Sequence, residues 1–514
     1  MGARFLSGPR VEDRLMSVLA SAAIRSASCE REYHRMVRSL EVAFREGTLW
    51  LCAGALLLSS CSGVTPGGTS AVSLSQQRES LNSGSGSSPI GHIVIIVQEN
   101  RTFNNLFATF PGATGATVGK KLVGKGRHKR VEPITLSEAN LTTRATLNHH
   151  YASFLTAYDG GAMDGFNRII SANTHVPERT APYQYVNPAQ VAPYWTMAKE
   201  YGLANAMFAT QGSDSFPAHQ DLIRGGTEID STDSLIDTPT SNNHSWGCDS
   251  PPGTVTSLIT TNLYYELDAG PFPCTSDFPS SGTGYPTLRD LLDAKSVSWK
   301  YYTPEIGSSG AIWNAFDVIA PVRYGPEWGT NVSWPETNIF NDIDNGALPS
   351  VSWVIPDGRN SDHPHDGSDT GPSWVASVVN AVGQSSYWNS CAIIIVWDDW
   401  GGFYDPVPPP LPRDNQGGPG LRVPMIVVSP YARETSSSQP GYISNTVYEL
   451  GTIVRFVEDT FNLGRLGTTD ETTNSMSDMF NLNQMPRPFQ TIPAKYPRSY
   501  FTHRKPSGLP VDTD

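Results

Sequence analysis

Two adjacent carboxylates at the end of an apolar run could bind a metal ion. The apolar residues 391–397 lead directly into Asp398 and Asp399, and a Gly-Gly pair follows. A continuous run of β-branched residues predicts a strand buried on both faces, as in a parallel sheet. Ligands of such sheets bind beyond the carboxyl ends of the strands. Because neighbouring carboxylates repel each other where water is scarce, we expect a divalent cation to hold them there.

Three further segments place polar side chains at predicted strand ends or turns. They carry carboxylate, amide, hydroxyl and imidazole groups, and they are Glu99-Asn100-Arg101, residues 212–219 with Ser215 and His219, and residues 362–366 with His363. Oxygen and imidazole ligands suit a hard or borderline divalent ion. No cysteine cluster competes for that role. The residues therefore predict one divalent metal ion, whose identity they leave open.

The elements that must position these groups alternate along the chain. Apolar runs at 92–97, 351–356, 391–397 and 423–429 predict strands, and the segments 148–158, 188–201, 286–294, 372–384 and 445–461 predict helices. This alternation predicts an α/β fold, a three-layer sandwich with a mainly parallel central sheet. We expect the basic residues 120–135 to form a solvated loop. Residues 240–335 read as an inserted cap or loop region, in which 240–285 show little periodicity.

In their order along the chain, these motifs resemble the bacterial phosphoesterase family that contains phospholipases C and related acid phosphatases. The matching segments are Glu99-Asn100-Arg101-Thr102-Phe103, Met163-Asp164-Gly165-Phe166, Ser215-Phe216-Pro217-Ala218-His219, residues 397–405 followed by three prolines, Arg422-Val423-Pro424 and residues 455–459. The resemblance covers roughly residues 90 to 465. Each motif alone is modest, but the set in the family's order is specific. The family is a branch of the alkaline-phosphatase-like superfamily, so the resemblance implies an alkaline-phosphatase-like fold.

The resemblance also implies a role for each matched residue. Glu99, Asn100, Asp398 and Asp399 would hold the metal, Ser215 would be the nucleophile, and His149 and His363 would contact the phosphoryl group or transfer protons. A metal beside a serine makes its hydroxyl more acidic and polarises a phosphoryl oxygen. A phosphoseryl intermediate would then be hydrolysed by water. Asn100 could donate a hydrogen bond to a phosphoryl oxygen in addition to binding the metal, or in place of it.

Close neighbours leave some of these assignments open. The rival pairs are Ser213 and Ser215, His149 and His150, and His363 and His365. Ser215 could also cap the helix that follows it, and a helix N-terminus favours a bound phosphate as well. His219 fits either a functional histidine or a structural one packed beneath the turn.

Four positions depart from the family's pattern. They are Asn104, where an Asp is usual, and Asn105, Pro406 and Asn445, where a His is frequent. None belongs to the proposed metal set, but together they leave room for altered activity. The rival hypothesis is therefore a non-catalytic surface binding protein on a decayed phosphoesterase scaffold. A sulfatase that converts Cys to an aldehyde is disfavoured, because residues 212–219, the nucleophile turn around Ser215, contain no Cys.

The substrate is less well defined by the sequence than the chemistry. A net charge of -13 argues against nucleic acid as a partner, because binding its phosphates needs clustered Lys and Arg. A phosphate ester or a phospholipid remains, and the residues do not distinguish monoesters from diesters. A lipid substrate would need an exposed apolar rim. The candidate aromatics are Tyr264, Tyr265, Trp299, Tyr301, Tyr302 and Trp313, with burial in the core as the alternative.

The N-terminal residues 1–61 predict an export segment. The apolar residues 49–60 are too few to span a bilayer, which needs about 20 residues, and are typical of a signal peptide. They end in Leu-Ser-Ser-Cys, which resembles the lipobox of bacterial lipoproteins and would anchor the protein to a membrane through a lipid on Cys61. The Ser- and Gly-rich residues 62–89 predict a linker, and residues 90–514 the phosphoesterase domain.

We expect the protein to be exported to the bacterial cell envelope or secreted. Exported proteins meet an oxidising environment, in which cysteines can form disulfides. Cys248 and Cys274 flank a region rich in Pro, Gly, Ser and Thr, and they could close it with a disulfide. Cys391 opens a buried strand and fits a small core residue.

Overall fold

The computed structural model describes residues 88–171, 174–240, 246–275, 284–410, 418–435 and 441–505. The predicted export segment at 1–61, with Cys61, lies outside the described residues, as does nearly all of the predicted linker at 62–89. Within the described ranges, no helix combines the length and the apolar character needed to cross a membrane.

Apolar runs and helical segments alternate as predicted. The strands are β1 His92–Gln98, β2 Val118–Val123, β3 Arg130–Thr135, β4 Ser137–Ala139, β5 Gln184–Val186, β6 Gly202–Ala204, β7 Met207–Phe208, β8 Asp233–Thr240, β9 Val255–Thr260, β10 Tyr265–Glu266, β11 Trp299–Tyr302, β12 Val332–Ser333, β13 Val351–Val354, β14 Cys391–Trp397, β15 Met425–Val428, β16 Tyr442–Ser444 and β17 Tyr448–Glu449. The helices are α1 Phe103–Phe107, α2 Tyr151–Tyr158, α3 Ala192–Glu200, α4 Ser215–Arg224, α5 Leu288–Ala294, α6 Ala320–Arg323, α7 Glu327–Thr330, α8 Asn338–Asp344, α9 Gly371–Gly383, α10 Leu450–Phe461, α11 Thr469–Thr472 and α12 Arg498–Thr502.

The central sheet has eight strands in the order β12-β11-β13-β1-β14-β15-β6-β16. β1 lies in its middle and pairs in parallel with β13 on one side and β14 on the other. β15 runs antiparallel to both of its neighbours, and the other pairs are parallel. This confirms an α/β fold with a mainly parallel sheet. The apolar run at 423–429 predicted the buried strand β15 but not its direction, because strands of either direction can be buried on both faces.

The strand register determines which helices cover each face. Ile95 pairs with Trp353, whose indole donates to a carbonyl oxygen of α4 at 3.1 Å. Gln98 pairs with Trp397, whose ring packs against Tyr194 of α3 at 4.8 Å. Residues three apart in a strand face opposite sides, so α3 and α4 cover opposite faces. α9 packs beside α3 and α10 beside α4, which completes the three layers.

One prediction of irregular structure is wrong, and a second region contains strands that the sequence did not predict. Residues 120–135 fall mostly in the antiparallel hairpin β2–β3, where Gly124 and Gly126 adopt positive φ angles of 81° and 52° in the turn. Residues 240–285 include β9 and β10, which join β8 in a three-stranded antiparallel sheet. Both regions combine charged or turn-forming residues with short strands, and the turn formers obscured the alternating pattern.

The region 240–335 divides between this small sheet and the central sheet, to which β11 and β12 belong. Accordingly, four of the six aromatic residues considered for an apolar rim are buried in the core: Trp299, Tyr301, Tyr302 and Trp313. Tyr264 is exposed. Burial of apolar area outweighs any use of these four rings at the surface.

The cysteine predictions are confirmed. Cys248 and Cys274 form a disulfide. Cys391 is a free, buried cysteine at the start of β14, and burial raises the pKa of its thiol, so it behaves as a small apolar residue.

Candidate active site

The paired strands β1 and β14 bring Glu99 and Asp398 together at one edge of the sheet. The Asp398 N–H donates to the Gln98 carbonyl at 3.0 Å, so the two strands stay paired to this point. Because Gln98 and Trp397 face α3, the next side chains, Glu99 and Asp398, point to the α4 face. Both side chains are fully buried. Strand parity alone therefore directs two carboxylates towards α4.

The backbone turns that follow β1 and β14 approach each other closely and fix the positions of Asn100 and Asp399. Asn100 adopts a left-handed φ of 59°, and its N–H donates to Asp398 Oδ1 at 2.8 Å. Gly401 has a φ of 54°, and its N–H donates to Asp399 Oδ1 at 2.7 Å. A Cβ on Gly401 would lie 2.0 Å from the Asn100 carbonyl oxygen. The Gly-Gly turn thus allows the two strand ends to approach each other closely.

Helix α4 supplies the facing groups. Ser215 is its first residue, and Ser215 Oγ donates to Asp399 Oδ2 at 3.2 Å. One turn later, His219 Nε2 lies 3.1 Å from Glu99 Oε1 and 3.9 Å from Asp398 Oδ2. All of these side chains are buried. Two strand ends and one helix start therefore converge on a single cluster of polar groups.

The cluster fits a divalent metal ion. Ligand atoms of Glu99, His219 and Asp398 all lie within 4.8 Å of one another. Asp398 Oδ2 is buried and accepts no hydrogen bond from the described residues. A buried carboxylate oxygen without a donor is costly unless a cation neutralises it. Carboxylate oxygens and an imidazole nitrogen suit such an ion, and His219, which the sequence suggested as catalytic or structural, joins the possible ligands.

His149 adjoins this cluster in a defined orientation. Its Nδ1 lies 2.7 Å from the Leu147 carbonyl oxygen and must donate to it. Nε2 is hydrogen-bonded to the Asn100 side-chain amide at 2.8 Å, and it lies 3.8 Å from Asp399 Oδ2. The backbone thus holds the imidazole with one nitrogen directed at the predicted metal residues Asn100 and Asp399.

The rival residues occupy different surroundings. Ser213 Oγ donates to Asp237 Oδ1 at 2.6 Å, whereas Ser215 Oγ donates to Asp399. His150 Nδ1 pairs with Asp214 Oδ2. Ser213 and His150 therefore belong to a second group of polar residues beside the cluster that contains Ser215.

His363 lies after β13 and is buried, whereas its rival His365 is exposed. Its N–H donates to Ser361 Oγ at 3.1 Å, and its ring packs 5.8 Å from the ring of Trp313. These contacts fix the position of His363, and its catalytic role rests on the resemblance.

Sequence reasoning gave no role in the site to three residues of this second group: Asp214, Asp237 and Tyr265. Asp237 Oδ1 accepts from Ser213 and from the Tyr151 N–H at 2.7 Å, and Oδ2 accepts from the Tyr265 hydroxyl at 2.7 Å. Burial, and then the charge of Asp214, raise the pKa of Asp237. The position of Asp214 directly before Ser215 is a sequence signal that could have placed it in the site. Asp237 has no comparable signal, since it lies on β8 within an unremarkable polar segment.

Other matched motifs have structural contacts. Arg422 Nε donates to Asp405 Oδ1 at 2.9 Å in a buried ion pair that joins the acidic motif to the later Arg-Val-Pro motif. Asn104 Oδ1 accepts from the Ala116 N–H at 2.7 Å, and Asn445 Oδ1 accepts from the Asn205 amide at 2.7 Å. The residues that depart from the family's pattern here thus support loops.

Known proteins resemble this chain over most of its length. Non-hemolytic phospholipase C of Burkholderia pseudomallei is 25% identical over 431 residues, covering 73% of this chain but 55% of that protein. Phospholipase C B of Mycobacterium tuberculosis is 24% identical over 456 residues, covering 78% of this chain and 79% of that protein. The chain thus spans about half of the first relative and about four fifths of the second.

A solved structure described as a protein of the alkaline phosphatase superfamily from Vibrio parahaemolyticus aligns with 77% of this chain and 72% of its own, at 12% identity and a TM-score of 0.33. The model of the Phosphoesterase family matches residues 90–464, which include the predicted metal residues, Ser215 and the three histidines proposed for catalysis. Because that match spans well over half of the sequence, the chain belongs to the phosphoesterase family.

Proposed function

We propose that this protein is a metal-dependent phosphoesterase that cleaves phospholipid-type phosphodiesters with Ser215 as nucleophile. The observation that carries the proposal is the 3.2 Å hydrogen bond from Ser215 Oγ to Asp399 Oδ2 at the start of the ten-residue helix α4. A helix N-terminus favours a bound phosphate. Relatives named phospholipase C support a diester over a monoester.

Glu99, Asn100, Asp398 and Asp399 would hold one divalent ion, and His219 is close enough to Glu99 to take part. Bound there, the ion would supply positive charge against the phosphoryl oxygens. Its identity is left open, because carboxylates and imidazole accept several divalent metals.

The chain's own groups support a two-step displacement. Ser215 Oγ would attack phosphorus while Asp399 Oδ2, its hydrogen-bond acceptor, takes the proton. The bond from phosphorus to the leaving alcohol breaks, and a protonated histidine gives that alcohol a proton. We assign to His149 and His363 the contacts with the phosphoryl group and the transfer of this proton to the leaving alcohol. Water then attacks the phosphoserine, the histidine regains a proton, and Ser215 regains its own as the phosphomonoester leaves.

The test compares hydrolysis of p-nitrophenyl phosphorylcholine and p-nitrophenyl phosphate by the full-length wild type and by Ser215→Ala, Asp398→Asn and Ser213→Ala. We expect Ser215→Ala to lower kcat by about a thousandfold or more, because the covalent step loses its nucleophile. Asp398→Asn should act similarly, and a chelator should stop wild-type turnover until metal is restored. Ser213→Ala is the matched control and should retain turnover.

Two results would contradict the proposal. Loss of turnover in Ser213→Ala, with turnover retained in Ser215→Ala, would assign the nucleophile to Ser213 instead of Ser215. Absence of turnover of both substrates and of phospholipid, across pH and divalent metals, would favour the non-catalytic binding protein on a decayed scaffold.

We further propose that the protein is exported and lipid-anchored at Cys61. The apolar residues 49–60 ahead of a lipobox-like Cys61 support this, and so does the Cys248–Cys274 disulfide, since disulfides persist mainly in oxidising compartments. Wild-type protein made in a bacterial host should incorporate labelled fatty acid, and Cys61→Ser should not. Equal incorporation by the two proteins would refute the anchor.

A further inference from the structure

A short hairpin in the small sheet exposes several large apolar side chains. We call residues 260–268, which run from the last residue of β9 through β10, the apolar hairpin. Leu263, Tyr264 and Leu267 within it are 40%, 65% and 68% exposed. Exposed apolar groups concentrated in one loop are typical of a surface that binds a partner or a membrane, because water otherwise opposes their exposure.

Hydrogen bonds connect the apolar hairpin to the nucleophile turn. The Tyr265 hydroxyl donates to Asp237 Oδ2 at 2.7 Å, and Asp237 Oδ1 accepts from Ser213 Oγ at 2.6 Å. Ser213 lies two residues before Ser215. The Tyr265 ring also packs 5.5 Å from the ring of Tyr151, which follows the site histidines. The hairpin is therefore held beside the candidate active site, and whatever covers its tip lies close to the substrate.

The charges of the hairpin restrict what can cover it. Residues 260–268 contain Glu266 and Asp268 but no Lys or Arg, and the whole chain has a net charge of -13. An anionic membrane would repel this surface, because attachment to anionic lipid uses clustered basic residues. A zwitterionic bilayer carries no net charge to repel it. Tyr is favoured at the headgroup level, and Leu side chains bury apolar area just below it.

We propose that the apolar hairpin docks the enzyme on the surface of a zwitterionic phospholipid bilayer, which presents the lipid phosphate to Ser215. This inference rests on the proposed function, because it names the physical form of the substrate. A lipid phosphate lies at the membrane surface, so the nucleophile must approach the bilayer closely. The hairpin is an element that reaches into solvent and is linked through Asp237 to Ser213, two residues before the nucleophile.

The test measures flotation of the full-length protein with phosphatidylcholine vesicles, using Cys61→Ser in every sample to remove lipidation. The variant Leu263→Ser/Tyr264→Ser/Leu267→Ser should reduce the vesicle-bound fraction about tenfold or more, because three apolar side chains no longer leave water. Turnover of soluble p-nitrophenyl phosphorylcholine should stay within about twofold, since none of the three contacts the catalytic groups.

Two controls sharpen the comparison. Met485→Ser removes an exposed apolar side chain near Pro430, beyond the opposite end of β15, and should leave vesicle binding unchanged. Tyr264→Trp keeps an interfacial aromatic ring and should bind vesicles at least as well as the parent protein.

Flotation is read without turnover, so a failure of the proposed function stays separate from a failure of this inference. Equal flotation of the parent and the triple variant would overturn the proposal. Tighter binding to phosphatidylglycerol than to phosphatidylcholine vesicles would overturn its choice of membrane. A parent dimer that the triple variant loses, with unchanged flotation, would make the hairpin a contact between copies of this chain.

Discussion

Ser213 and Ser215 are two positions apart in the chain, but their surroundings differ completely. One hydroxyl donates to Asp237 in a group that already receives several donors, and the other donates to Asp399 beside the candidate metal residues. The same division separates His150 from His149. Residue type cannot distinguish these pairs, because the chemistry each can perform depends on the partner that the fold provides.

Glu336 provides a residue-level test of burial in the folded protein. Burial, followed by the charge of Asp357, raises its pKa to about 7 from an ordinary value of 4.5. A carboxyl whose pKa is raised on folding stabilises the fold below its unfolded pKa, and this contribution is lost as pH rises through the folded pKa. The free energy of unfolding should therefore fall between about pH 5 and pH 8.

Glu336→Gln should remove that part of the pH dependence and stabilise the protein at pH 8 by roughly 1–3 kcal/mol. Urea unfolding at several pH values would measure both effects. Glu305→Gln, on an exposed side chain, is the control. Parallel pH profiles for wild type and Glu336→Gln would show that the Glu336 carboxyl titrates alike in the folded and unfolded chains.

The ends of three elements, rather than their middles, build the candidate site. β1 and β14 end side by side, and α4 begins opposite them, so backbone turns decide where the side chains point. The buried Asp405–Arg422 pair then joins the loop after β14 to the start of β15. Much of the family's motif content therefore stabilises the turns that carry the site.

Gly401→Ala tests the importance of the turn after β14. The alanine would have to adopt the left-handed backbone conformation of this position, and its Cβ would lie 2.0 Å from the Asn100 carbonyl oxygen. We expect a loss of roughly 2 kcal/mol or more of stability. Turnover should fall about a hundredfold as Asp399 and Asn100 move apart.

Thermal unfolding and kcat would measure these two effects. Gly464→Ala is the matched control, because its added Cβ meets no atom within 4 Å and its φ is not positive. If Gly401→Ala and Gly464→Ala had the same thermal stability and the same kcat, the close approach of the two turns would not be required for stability or turnover.

Across the whole molecule, a large, mainly parallel sheet provides rigidity, and a separate smaller sheet of β8, β9 and β10 lies beside the site. The disulfide between Cys248 and Cys274 closes a segment within this additional region. The central sheet has apolar strands buried on both faces and does not need such a crosslink. We expect the crosslink to matter most for the added region and for the hairpin it carries.

Replacing both Cys248 and Cys274 by Ala should lower the free energy of unfolding by about 3 kcal/mol, because the open chain gains conformational freedom when it unfolds. Urea unfolding of oxidised protein would measure the loss. A reducing agent should lower the stability of the wild type by a similar amount and leave the double variant unchanged. A double variant as stable as the wild type would contradict this account.

The sequence alone determined the mainly parallel α/β fold and the strand ends that carry Glu99, Asn100, Asp398 and Asp399. Long apolar runs bury themselves whatever surrounds them, and the polar residues that follow must then lie at the sheet edge. The direction of β15 and the β2–β3 hairpin were not determined in this way, because pairing between distant segments decides them.

Only the tertiary structure decided how the polar residues are grouped. It set His219 against Glu99, Ser215 against Asp399 and Ser213 against Asp237. It also buried Trp299 and Trp313 while leaving Tyr264 exposed. The physical reason is that these outcomes depend on distances between segments far apart in the chain. Residue type and local spacing describe what a group can do, and only packing determines which partner it meets.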